Sequence, residues 1–173
     1  MLVRLTAPVA LLIGLLLAHQ WSGDFTTSAH RLRNRMDIPL KENSFRCLFD
    51  NKLWEADSLT AEVIRYERHT TIYLYSSTNS DRLAFQFSGN LIPGCYVLDN
   101  PSAGYVYVTH PHAACLFSTD EYYQGMLMID YLDETTNQLT GSFELLAYSD
   151  ECRRVIRIHN GQFNVKYRVR GIS

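Results

Sequence analysis

The chain is 173 residues long, 46% hydrophobic and 20% charged, with a formal net charge of -2. That length suits one folded domain with a targeting segment to spare. A balance so close to neutral leaves no global electrostatic case for nucleic acid, which is met by a basic face.

Residues 1–18 have the form of an export signal. Arg4 is a short positive start, and Leu5 to Ala18 is an uncharged run of 14 residues. A membrane-spanning helix needs about 20 apolar residues, so the run fits a signal core better than a span. Leu16-Leu17-Ala18 makes a poor cleavage site, which leaves membrane anchoring through residues 5–18 as an alternative. No Cys follows the run to accept a lipid. Residues 19–42 read as a polar linker, and its basic cluster, His30-Arg31-Leu32-Arg33-Asn34-Arg35, is expected to be solvated. An exported location (periplasm, cell envelope or extracellular) follows from the first segment.

Residues 43–173 read as a β-rich domain, because a period of two takes over and helical periodicity nearly vanishes. Tyr, at 11 copies, leads an aromatic content of 12% that suits a pleated surface. "SLTAEVI" (58–64) is the one stretch with a helical look. "TTIYLYS" and "RLAFQFSG" follow as strands across the turn "SSTNSD" (76–81), the second putting Leu83, Phe85 and Phe87 on one face. "GCYVL" and "YVYVTH" flank "NPSAG" (100–104). "GMLMIDYL" and "LTGSFELLAYS" flank "DETTNQ" (133–138). "RRVIRI" and "QFNVKYRV" flank Asn160-Gly161, a pair that supplies the two positive φ angles of a type I′ hairpin turn. The expected fold is all-β: an antiparallel meander of about ten strands closed as a sandwich or a barrel. Tyr73 and Tyr75 alternate with Ile72 and Leu74, and Tyr105 and Tyr107 with Val106 and Val108. Strands apolar on both faces belong in the middle of a structure or around a cavity.

"NSFRCLFDNKLWEA", "GMLMIDYLDETTNQLTGSFELLAYS" and "CRRVIRIHNGQFNVKYR" together resemble a family of exported, often lipid-anchored proteins of unknown function from Bacteroidota. The matching positions are Phe45, Cys47, Asn51, Lys52, Trp54, Leu132, Asp133, Thr140 to Glu144, Gly161, Phe163, Val165 and Tyr167. The resemblance implies a β-rich fold at the envelope or outside the cell. It carries no catalytic residues, and this chain departs from it in having neither a lipid-acceptor Cys nor a Gly in the Asp50-Asn51-Lys52 turn.

Cys47, Cys95, Cys115 and Cys152 are even in number and contain no C-x-x-C, so in an exported protein they read as disulfides. Three pairings exist. Curling the meander brings the first strand beside the last, which favours Cys47–Cys152 with Cys95–Cys115.

Catalytic and metal signatures are sparse. His110 and His112 in "VTHPHAAC" are two apart and could share a metal from an extended segment, with His69, Asp120 or Glu121 as a third ligand. A polar loop with two exposed histidines is the plainer reading, and no cofactor motif is present. Asp120, Glu121, Asp130 and Glu144 supply carboxylates for a glycosidase-type pair, but nothing in the order of residues places two of them together. Asp133, Glu134 and Asn137 lack the full calcium-loop frame. Trp54 suits core capping or stacking on a sugar. The leading functional expectation is a non-enzymatic binding or scaffold domain with an envelope or glycan partner. A lipocalin-like carrier of a small apolar ligand and an unrecognised hydrolase are the alternatives.

Overall fold

The computed structural model describes residues 40–100, 104–110 and 115–171. The export segment, most of the linker and His112 lie outside these.

Eleven strands make up the domain. β1 (Ser44–Phe49) and β2 (Lys52–Glu55) form a hairpin; β3 (Ser58–Arg65), β4 (Thr70–Ser77) and β5 (Arg82–Gly89) form a meander. β6 (Gly94–Leu98), β7 (Gly104–His110), β8 (Cys115–Ser118) and β9 (Gly125–Asp133) follow. β10 (Gln138–Ser149) and β11 (Arg154–Gly171) are the two longest. The order is β2-β1-β11-β3-β4-β5-β7-β8-β10-β9-β6, and a further β11–β10 ladder closes the sheet on itself. The ring therefore runs β11-β3-β4-β5-β7-β8-β10 and back to β11. Every pairing is antiparallel except β11 with β3.

β11 holds this arrangement together because it pairs with three strands along its two edges. One edge pairs with β10 from Arg154 to Lys166. The other pairs with β1 between Ile158 and Asn164, then with β3 from Tyr167 to Gly171. The first strand does lie beside the last.

The interior follows the alternation. Leu83, Phe85 and Phe87 are buried together with Ile72, Leu74, Val106, Val108, Phe163 and Val165. Phe143 stands between Phe45 and Phe85, with ring centroids 4.8 Å from each. Such contacts add about 0.5–1.5 kcal/mol per pair to the burial of the rings. They fill the barrel centre. Tyr75 and Tyr107, by contrast, are exposed on the outer surface while their neighbours Leu74, Val106 and Val108 point in. The second apolar face of these strands is thus the outside of the barrel, where a Tyr ring can lie flat with its hydroxyl in water.

Three expectations are corrected. Residues 58–64 are strand β3, paired along their length with β4; β-branched Thr60, Val63 and Ile64 suit a ladder better than a helix. Asn160-Gly161 is not a hairpin turn, and β11 runs straight through it. Asn160 does take a positive φ, 52°, but spends it on a β-bulge. Phe143 to Leu145 on β10 spans Gly161 to Ile158 on β11, so one strand carries an extra residue, and β1 shows the same shift opposite it. The real two-residue turn is Asp50-Asn51, with φ values of 45° and 66°, joining Phe49 to its partner Lys52.

The third correction concerns the cysteines. The disulfide joins Cys115 to Cys152, with Cα atoms 5.8 Å apart. Cys47 and Cys95 are free thiols, the first buried and the second exposed. Cys47 pairs in register with Trp54 on β2, and Cys95 with Met128 on β9, so the expected Cys47–Cys152 and Cys95–Cys115 bonds are not formed.

Candidate ligand pocket at the barrel mouth

Where the centre is filled, one end of the barrel is not. A pocket of about 390 Å³ opens there, lined by Phe49, Lys52, Trp54, Phe117, Arg154 and Ile156, with Asp50, Leu53, Asp81 and Cys115 at its margins. That volume lies within the range of about 300–1,000 Å³ in which small-molecule sites fall.

Strand periodicity decides which side chains reach it. Phe49, Lys52 and Trp54 share the face of the β1–β2 hairpin that carries buried Phe45 and Cys47, because Phe49 pairs with Lys52 and Cys47 with Trp54. Cys115 and Phe117 are the buried positions of β8, and Ile156 that of the start of β11. Arg154 is two residues before Ile156 and so lies on the same face, at the rim. The floor is apolar and the rim is charged.

The hairpin is clamped in position by its turn. Asp50 accepts a hydrogen bond from Arg154 Nη2 through one carboxylate oxygen and from the Arg157 backbone N–H, at 3.0 Å, through the other. The Asp50 N–H donates back to the Arg157 carbonyl at 2.9 Å. Asn51 Oδ1 and His159 Nε2 meet at 2.9 Å. Opposite, Asp81 accepts from Ser80 Oγ at 2.7 Å. Among the described residues Lys52 makes no ion pair.

Trp54 meets Phe45 edge-on, with centroids 5.7 Å apart. It caps the core and walls the pocket at once. Its indole Nε1 is buried and has no acceptor among the described residues. Behind it, burial pushes the Cys47 thiol up to about 12, which keeps it protonated and inert.

Of the other residues singled out from the sequence, Cys115 also lines this pocket, whereas Asp120, Asp130, Asp133, Glu134 and Glu144 are not among its lining residues. His110 ends β7, paired with Cys115. No three His, Cys, Asp or Glu side chains among the described residues gather closely enough to hold a metal. Asp120 accepts from the backbone N–H groups of Tyr122 and Tyr123, both at 2.7 Å. Asp130 and Glu144 alternate with buried Ile129, Phe143 and Leu145 and so face outward. Asp133 is engaged by its own turn. The Thr136 hydroxyl and the N–H groups of Thr135 and Thr136 hydrogen-bond it and hold its carboxyl below the usual range. Glu134 faces Arg65 at 3.4 Å. Asn137 offers its backbone carbonyl to Tyr167 N–H.

Trp54 stands out in the sequence, whereas nothing there marks Lys52, Phe117, Arg154 and Ile156 as one constellation. No local motif joins them, because four separate strands or turns contribute.

A family model described as a domain of unknown function, DUF6252, matches residues 41–166. The chain belongs to that family. The matched span opens before β1 and closes at Lys166, where the β10–β11 ladder ends. It therefore contains every lining residue of this chain's pocket. No curated protein and no solved structure matches the chain.

Proposed function

We propose that the protein is a non-enzymatic binding domain of an exported, envelope-associated protein, and that it takes its ligand end-on in the barrel-mouth pocket. One observation carries this reading: apolar Phe117, Ile156 and Trp54 line the pocket together with charged side chains, and Trp54 packs edge-on against Phe45 of the core. A mostly apolar concavity with a few polar groups at its edge is the usual form of a small-ligand site. The Asp50 carboxylate is committed through both oxygens to Arg154 and the Arg157 N–H, which suits a structural clamp better than a catalytic base. The signal-like residues 1–18 and the Cys115–Cys152 bond support export, since disulfides persist in oxidising compartments.

The test is calorimetric titration of the full chain with a panel of glycans, short peptides and small amphiphiles, repeated on Ile156→Trp, which fills the floor. Binding by the wild type that is lost in Ile156→Trp supports the pocket. Binding that survives the substitution, or no binding by any of the panel, overturns it. The apolar floor also fits a lipocalin-like carrier, and that reading requires the bound ligand to be shielded from solvent, which quenching of a fluorescent ligand measures.

A further inference from the structure

We propose that the pocket selects an anionic amphiphile: an apolar chain or ring seated on Phe117 and Ile156, with a carboxylate head held at the rim by Lys52. This rests on the binding reading above and names the ligand class.

The charged side chains at the rim differ in how they are engaged. Asp50 and Arg154 neutralise one another, and the second oxygen of Asp50 is taken by a backbone N–H. Asp81 accepts from the Ser80 hydroxyl, a neutral donor that orients the carboxylate without cancelling its charge. Lys52 remains a rim cation that makes no ion pair among the described residues, and it is exposed. It also sits on the inward-facing side of the hairpin, between Trp54 and the turn, so its ammonium is carried above the apolar floor on a flexible stem. A ligand entering apolar end first leaves its head at that height. A neutral head would leave Lys52 to water and gain no charge interaction, and a cationic head would be repelled by Lys52. A carboxylate would form a charge-assisted hydrogen bond at a partly desolvated edge.

The volume of about 390 Å³ accommodates a short chain or a single ring on Ile156 and Phe117.

The test compares octanoate with octanol by calorimetry on the full chain, near neutral pH where octanoate is ionised. The expected result is octanoate binding about tenfold tighter than octanol, a ratio typical of one partly exposed charge interaction. Lys52→Met should bring the ratio to about one, and Lys52→Glu should move the preference to octylammonium. Equal affinities in the wild type, or a preference that survives Lys52→Met, overturn the anionic inference while leaving the pocket standing. Octanoate binding unaffected by Ile156→Trp overturns the pocket itself. Binding only to vesicles of phosphatidylglycerol, with none to free octanoate, overturns the monomeric ligand in favour of a membrane surface. Thermal melting of each variant establishes that it is folded, and Lys52, being exposed, is not needed for that.

Discussion

Cys115 is bonded to Cys152 across the weakest seam of the barrel. β8 and β10 meet in register at a single residue pair, Ser118 with Tyr148, whereas the β10–β11 ladder runs from Gln138 to Ser149. The disulfide closes where the hydrogen-bonded ladder scarcely does. Its loop spans 37 residues, for which chain-entropy arithmetic gives about 4 kcal/mol. Cys152→Ser should lower the unfolding free energy by about 2–4 kcal/mol in urea titration. Peptide mapping without reductant should recover Cys115 and Cys152 in one linked species. Because Cys115 borders the pocket, reduction should also weaken ligand binding.

Cys47 predicts an alkaline weakness. Burial raises its thiol from 9.0 to about 12. Above pH 9 the unfolded chain can release this proton and the folded chain cannot, so the unfolded state binds fewer protons and stability falls as pH rises. The contribution is fully present below pH 9 and is lost progressively towards pH 12, at up to about 1.4 kcal/mol per unit. Cys47→Ala should flatten that part of the stability profile relative to wild type. At pH 8, iodoacetamide should label Cys95 in the native protein and Cys47 only at the rate of unfolding.

Gly161 should tolerate no side chain. A Cβ built there overlaps the ring of Phe143, itself wedged between Phe45 and Phe85. Gly161→Ala should destabilise the fold by about 3 kcal/mol, near the upper end of the range for overpacking. Phe143→Leu in the same chain should return part of the loss, and a double-mutant cycle on thermal or urea unfolding measures the coupling.

Asp133 predicts an acid-sensitive turn. Its carboxyl is held below 3.8 mainly by the Thr136 hydroxyl and then by backbone N–H groups. A depressed carboxyl contributes stability that is present above its unfolded value and lost as pH falls through its folded one. Asp133→Ala should therefore reduce stability at pH 7, and the difference from wild type should shrink below pH 4 in paired thermal melts.

The alternation of Leu83, Phe85 and Phe87 and of Phe163, Val165 and Tyr167 determined which faces turn inward, because a strand's side chains alternate whatever it pairs with. The alternation would place Val169 inward as well, yet it is 44% exposed: β11 there has outrun β10 and pairs only with β3. Polarity and φ preference are local properties and were legible. Partner choice was not. Asn160-Gly161 carries the same positive-φ signal whether the chain reverses or bulges. The Phe143 ring across the ladder, needing the space a glycine leaves, selects the bulge. The same holds for the thiols: that Cys115 rather than Cys47 reaches Cys152 depends on where two distant segments come together as the barrel closes. Lys52, Phe117, Arg154 and Ile156 become one pocket for the same reason, since their proximity is set by strand order and register rather than by spacing along the chain.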